Sequence, residues 1–262
     1  MLRLFKALQK HETRGRDGAL GHVRDIFFQD EHWEIRYFVV DVGGWMHRKE
    51  VLLSPVAVIK EPSGNPEEIS FILSKDEIRC SPPVDTQKPV SRQHEADLYR
   101  YYGWTPYWSG FAPLDLGAMG AAIGLEGLLA AVPIAGKEPL SDSSPVADEA
   151  KGDPHLRSLR HTAHSIIEAV DGSVGHVTDA LVDDTAWTLP YLVVNTSNWL
   201  PGRTVVVPTS RVSRISWAES TVNVSLTRAE IEASPHFDKG SLLDSARLTE
   251  VEHYYGASAH QS

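Results

Sequence analysis

Residues 21–45 occur twice in this chain, and that duplication limits the fold more than any other feature. Adding 154 to a position in Gly21–Trp45 gives its partner in Gly175–Trp199. Ten of the 25 positions are identical: Gly21/Gly175, His22/His176, Val23/Val177, Asp25/Asp179, Asp30/Asp184, Trp33/Trp187, Tyr37/Tyr191, Val39/Val193, Val40/Val194 and Trp45/Trp199. Five of the others exchange one apolar residue for another. A repeat of this kind means two copies of one folding unit, each of about a hundred residues, a size that can bury a core.

The residues of each copy read as short strands. Leu2–Lys10 is either a first strand or a short helical lead-in. Asp17-Gly18 and Asp171-Gly172 occupy matching places, and Asp-Gly between apolar residues signals a hairpin. Val23–Phe28 and Glu34–Val42 are rich in β-branched and aromatic residues. Val51–Leu53, Val56–Ile59 and Ile69–Leu73 follow, with Ser54-Pro55 and Gly64-Asn65 between them. The second copy repeats the order with Val177–Val182, Leu189–Asn195, Val205–Val207, Val212–Trp217 and Val222–Leu226. Gly43–His47 and Asn198–Gly202 make corresponding turns. Many short strands punctuated by Gly and Pro read as a small barrel or sandwich.

Each copy then turns helical. Ser74-Lys75-Asp76-Glu77 and Thr227-Arg228-Ala229-Glu230 both fit the capping box, and Pro82 and Pro235 stop the helix in matching places. The offset here is 153, so the first copy has gained one net residue between Trp45 and Leu73; the Gly64 hairpin is the expected place. A second helical run ends each copy, with Leu98, Tyr101 and Tyr102 matching Val251, Tyr254 and Tyr255 before Gly103 and Gly256. Leu159–Val170 leads into the second copy.

The segment between the copies has no twin. Trp104–Phe111 is aromatic and turn-rich, Leu116–Ala135 is rich in Ala, Gly and Leu, and Gly136–Pro154 has the composition of a flexible linker. The formal charge of −10 argues against a nucleic-acid partner, which needs a basic face. It also argues against electrostatic adhesion to anionic lipid. A single cysteine, Cys80, excludes an intrachain disulfide and fits a reducing compartment; it is expected to be a small buried hydrophobe. Met1–Lys10 has no signal-peptide pattern, so a cytoplasmic location is expected.

These residues resemble a known family. Asp171–Val177, Asp183-Asp184, Trp187, Tyr191–Val194, Asn198–Arg203 and Val206–Pro208 look like the PRC barrel. That is the small barrel of the cytoplasmic part of the photosynthetic reaction-centre H subunit, and of the C-terminal half of a ribosome maturation factor. The first copy departs at Gly44–Arg48, where the Pro-Gly pair is missing. The resemblance implies a docking or scaffolding module with a protein partner, beside a membrane complex of photosynthetic electron transport. It carries over no catalytic residues. The chain has no counterpart of the H subunit's N-terminal membrane helix, so any membrane association is expected to be peripheral to the inner membrane.

His161 and His164 share a face only on a helix, and lack further ligands at metal spacing. Asp25/Asp179 and Asp30/Asp184 recur around a strand, a pattern that suits backbone bonding better than acid–base work. His22 and His176 recur likewise and suit a structural role. Gly117, Gly120, Gly124 and Gly127 follow no strand and precede no lysine, as a phosphate loop would require. That stretch reads as linker, with a membrane-spanning or peripheral helix as alternatives; Glu126 falls in mid-span. Trp104, Tyr107, Trp108 and Phe111 have no second-copy counterpart and are the candidate protein-contact residues, since Trp and Tyr dominate interface hot spots.

The expected fold is therefore all-β (mainly β): two tandem small antiparallel PRC-type β-barrels with short C-terminal helices. They cover 1–103 and 156–262, with 104–155 an aromatic segment and flexible linker. Each barrel is expected to close its own sheet around its own apolar centre. The expected function is non-enzymatic docking to a protein, with no cofactor, catalytic or metal residues. One alternative is a small-ligand binder or enzyme using the inter-barrel cleft, which a polar pocket lined by both copies would favour. A ribosome-assembly helper is the other.

Overall fold

The computed structural model describes residues 1–43, 49–59, 67–84, 90–109, 155–196, 203–237 and 245–258. The turns expected at Gly43–His47, Gly64-Asn65 and Asn198–Gly202, the offset residue's hairpin among them, lie wholly or largely outside these residues, as does the linker from residue 110 to 154. Contacts group the chain into two units, Met1–Lys88 with Pro154–Ser262, and Pro89–Asp153. Both copies of the repeat lie in the first, except for the helical run that ends copy one, Leu98–Tyr102, which falls in the second.

The protein is mainly β. The first copy runs β1 (Leu2–Leu4), α1 (Phe5–Leu8), β2 (Glu12–Gly15), β3 (Gly18–Gln29), β4 (Glu34–Asp41), β5 (Glu50–Leu53), a 3-10 turn Pro55–Ala57, β6 (Glu68–Ser70) and α2 (Lys75–Cys80). The second runs β7 (Leu156–Ser158), α4 (Leu159–Thr162), β8 (Ile166–Ala169), β9 (Gly172–Asp183), β10 (Thr188–Asn195), β11 (Thr204–Pro208), a 3-10 turn Thr209–Arg211, β12 (Val212–Ser216), β13 (Thr221–Val224), α5 (Arg228–Ala233) and α6 (Ser245–Ser258). Leu2–Lys10 thus supplies both the strand and the helix that its sequence allowed. Val56–Ile59 is not a strand. Pro55 fixes φ and the Ser54 hydroxyl accepts from the Val56 N–H, which favours a 3-10 turn. Only Val58 pairs, with Phe71, as Val212 pairs with Val224. That equivalence brackets the extra residue of the first copy between Val58 and Phe71, and Glu68 opposite Glu12, as Thr221 is opposite Ile166, narrows it to Val58–Glu68.

Among the described residues thirteen strands form one hydrogen-bonded sheet, with the path β12-β13-β8-β9-β10-β4-β3-β2-β6. It is mixed rather than antiparallel. β6 runs parallel to β2, and β13 parallel to β8, because each returns beside the start of its copy after the chain has passed around the sheet. Both capping boxes form, and each is tied to the hairpin of its own copy. Asp17 Oδ1 accepts from the Lys75 N–H at 2.8 Å and Asp171 Oδ1 from the Arg228 N–H at 2.8 Å. The repeated glycines Gly21 and Gly175 have a steric cause. A Cβ on them would sit 1.8 Å from the Asp41 carbonyl oxygen and 1.9 Å from that of Asn195, where β3 and β9 press on their hairpin partners.

The copies do not close separately, as the sequence led us to expect. β1 pairs with β9, setting Leu2–Leu4 against Leu181–Asp183, and β7 pairs with β3, setting Leu156–Ser158 against Phe27–Gln29. Each copy gives its first strand to the other, in the same register. The attached helices follow: α1 lies on β9 and α4 on β3, burying Phe5 and Leu8, and Leu159 and Thr162. Here Asp25–Phe28 and Asp179–Val182 are buried at four consecutive positions, because both faces of the strand are covered. Burying a side chain of Leu or Phe size is worth about 1.5–3 kcal/mol, so the exchanged helices hold the copies together substantially.

The two long hairpins also meet at their tips. The Ile35 N–H donates to the Trp187 carbonyl at 2.8 Å, and the Leu189 N–H to the Trp33 carbonyl at 2.9 Å. Trp33 and Trp187 both take positive φ, 57° and 53°. A bulky residue holds that conformation only where its surroundings over-determine it. Here Trp33 stacks on Phe28 at 5.0 Å, while Trp187 meets Phe38 of the other copy edge-on at 4.9 Å.

Candidate functional site

The aromatic residues singled out in the sequence follow helix α3 (Arg92–Tyr102) in the second unit. Ser91 caps the helix, its hydroxyl accepting from the His94 N–H at 3.1 Å. Gly103 ends it with φ 67°, the left-handed conformation that glycine adopts without steric cost, and the Trp104 N–H bonds back to the Tyr99 carbonyl at 2.9 Å. The chain then folds back through a 3-10 turn, Tyr107–Ser109. This brings three of the four candidates together around Tyr99. Ring centroids lie 5.8 Å away for Trp104, 6.2 Å for Tyr107 and 5.1 Å for Trp108, and Trp104 stacks on Tyr102 at 4.3 Å. Phe111 lies outside the described residues.

Tyr99 itself is buried, whereas Trp104, Tyr107 and Trp108 are half-buried and Tyr101 is exposed. The Tyr107 hydroxyl donates to Glu95 Oε1 at 3.0 Å, and Glu95 is fully buried. This carboxylate gives no periodic signal in the sequence, and only the back-folded turn shows what it does. Burial also pushes the neighbouring His94 below the usual imidazole range. In the second copy the corresponding Gly256 does not end its helix, which continues to Ser258. There Tyr254 donates to the Glu230 carbonyl at 2.7 Å, Tyr191 donates to Glu252 Oε1 at 3.3 Å, and Arg211 donates to the Tyr255 carbonyl at 2.7 Å. Burial pushes the Tyr191 and Tyr255 hydroxyls up to about 12.

The repeated aspartates lie where the copies exchange strands. Asp30 Oδ2 accepts from Arg157 Nε at 2.6 Å, and Asp184 Oδ2 from Arg3 Nε at 2.6 Å. Asp25 Oδ1 accepts from the Arg160 N–H at 2.9 Å, and Asp179 Oδ1 from the Lys6 N–H at 3.2 Å. Asp25 and Asp179 thus bond backbone in α4 and α1 of the other copy, besides the next N–H of their own strand, whereas Asp30 and Asp184 bond arginine side chains of the other copy and not the turn backbone expected. Ser158 adds a bond to Asp25 Oδ2 at 2.6 Å, for which Leu4, its counterpart, has no hydroxyl. Burial nevertheless raises the Asp25 carboxyl above its ordinary range. Arg3 and Arg157 were missed in the sequence, although Leu2-Arg3 and Leu156-Arg157 stand at the same offset of 154.

The remaining candidates fall into place individually. His22 Nδ1 lies 3.3 Å from the His11 carbonyl, a contact inside its own copy. His161 stacks on Trp217 at 4.4 Å, with the Arg157 guanidinium 5.5 Å from the same ring. Among the described residues no group of three or more His, Cys, Asp or Glu is placed to hold a metal ion. Cys80 is exposed rather than buried, because it ends the short helix α2 on the face opposite buried Ile78. A shallow groove lies between β11 and α6, with Val206, Phe237, Leu248 and Val251 in its walls; its lining comes from the second copy alone.

These residues define a duplicated, strand-exchanged β protein with a separate aromatic hook after α3. Comparison with protein-family models gives no match, and comparison with curated protein sequences gives none. No described helix is long and apolar enough to cross a membrane.

Proposed function

We propose that this protein is a non-enzymatic docking module that recognises another protein through Trp104, Tyr107 and Trp108. Each copy corresponds to a small barrel of the PRC type whose sheet is completed by the first strand of the other copy, and the molecule works in the cytoplasm, peripheral to a membrane complex such as one of photosynthetic electron transport. The observation that carries the reading is the aromatic hook. Its three large rings are gathered on Tyr99 and remain half-exposed, and the second copy has no equivalent. Rings already held in place lose little entropy on binding, which favours hot-spot use. The anchored Asp25 and Asp30 support the non-enzymatic reading, since both oxygens of each are engaged, by backbone and Ser158 in one case and by His155 and Arg157 in the other.

The test is affinity capture from cell lysate with the wild type and with a Trp104→Ala/Trp108→Ala variant. A partner held by the wild type and lost with the variant, whose folding is checked by circular dichroism, supports the reading. Equal capture by both proteins, or turnover of a small molecule without any specific partner, counts against it.

A further inference from the structure

The exchange of first strands has a consequence for how two chains can meet. Every bond between β1–α1 and β9, and between β7–α4 and β3, joins copy one to copy two. The acceptor of each copy is complete only when the other copy fills it. The contacts at both sites are equivalent in register and charge, and the hairpin tips join the copies through the reciprocal Ile35 and Leu189 bonds. Between the copies in the chain lies a second unit, residues 89–153. No short turn therefore ties copy one to the copy two of its own chain.

We infer that a second copy of this chain can complete the exchange in trans, giving a dimer in which β7–α4 of each chain fills β3 of the other, and β1–α1 fills β9. Such a dimer contains the monomer's interfaces twice over and leaves no acceptor empty. Its only disadvantage is the tether, which favours the closed monomer through effective concentration. That advantage is about millimolar for short flexible tethers and falls as the tether lengthens. Exchange of identical elements is a low-cost route to dimers for this reason. Once formed, either species is slow to convert, because both strand ladders and the hairpin-tip bonds must open together.

The Arg157–Asp30 pair allows a direct test in the full chain. In the variant Asp30→Arg, two bases face each other at this pair; in Arg157→Asp, two acids do. Mixed in trans, the new base at 30 meets the new acid at 157, and the second exchange site regains the original Asp30–Arg157 pair. The two variants, differently tagged, are unfolded together and refolded as an equimolar mixture. The expected result is a species of twice the monomer mass carrying both tags, melting well above either variant refolded alone. If the variants fail to fold singly, recovery of folded protein only from the mixture gives the same answer. A mixture that yields only single-tag species, or no more folded protein than the separate variants, overturns the inference. Wild type supplies a second reading. Refolded at about 0.5 mM it should give a dimer fraction at least tenfold above that at about 1 μM, given a tether of at most millimolar strength. Monomer alone at both concentrations also overturns it.

Discussion

Arg157 Nε lies 2.6 Å from Asp30 Oδ2, with exposures of only 17% and 13%, and the pair joins the second copy of the repeat to the first. Its twin, Arg3 with Asp184, joins the first to the second at the same distance. Charge-assisted hydrogen bonds to partly buried carboxylates are worth more than surface ion pairs. Asp30→Ala is therefore expected to lower stability by about 2 kcal/mol. A cycle with Arg157→Ala, followed by urea unfolding, should show a coupling of about 1 kcal/mol or more. Additive single effects would mean that the pair contributes nothing specific.

Two copies that interlock cannot melt one at a time. Scanning calorimetry is expected to show one transition for the unit that contains both copies, with calorimetric and van't Hoff enthalpies in agreement. Asp30→Ala in the first copy should lower the midpoint seen by probes in both. Two resolved transitions, one per copy, would show that the exchanged strands are not held.

Gly21→Ala and Gly175→Ala place a methyl group on a backbone oxygen that is less than 2 Å away. Because the obstacle is backbone, no rotamer change relieves it. A loss of about 3 kcal/mol or more is expected from each, read as the shift in thermal midpoint. Gly103→Ala should behave differently. Space there is open and the strain comes from φ alone, so the cost should be about 1 kcal/mol.

His11 is buried in the first copy, and burial holds it below the usual imidazole value near 6.5, with Arg3 adding to the effect. The unfolded chain therefore binds this proton more readily than the folded one. Its contribution to stability is present above the unfolded value and is lost as pH falls through the window down to the folded value. Urea midpoints measured from pH 7 to pH 5 should fall for the wild type and fall less steeply for His11→Gln. Identical slopes would show that His11 is not held neutral by the fold.

The capping boxes give an acid-side counterpart. The Thr227 N–H and hydroxyl hold the Glu230 carboxyl below its ordinary value. The folded value is the lower one, so this contribution is present above the unfolded value near 4.5 and is lost as pH falls through the folded value. Thr227→Ala is expected to cost about 1 kcal/mol at neutral pH, with the difference from wild type shrinking in acid.

Much of this is legible in the sequence. The +154 repeat, the Asp-Gly hairpins, the paired capping boxes, the helices carrying Tyr101-Tyr102 and Tyr254-Tyr255 and the single offset residue all follow from local chemistry. Three of the aromatic candidates converge as a group, because Gly103 and Pro106 turn the chain back on its own helix. The exposure of Cys80 is not legible, because six residues of helix are too few for burial to be judged from sequence, and the turn at Val56–Ile59 is not, because Pro55 outweighs the β-branched run that follows it.

The sequence by itself determined that one module is present twice, and most of the residues in it that form strand and cap. Only the tertiary structure decided that the modules trade their first strands. Leu2–Leu4 and Leu156–Ser158 are too short to carry a period, and backbone ladders accept any chain of the right direction. Arg3 would match Asp30 within its own copy as well as it matches Asp184 in the other. Copies that repeat the same arginine and aspartate offer matching partners, so the spatial meeting of the two hairpin tips, at Trp33 and Trp187, bears on which copy each strand completes.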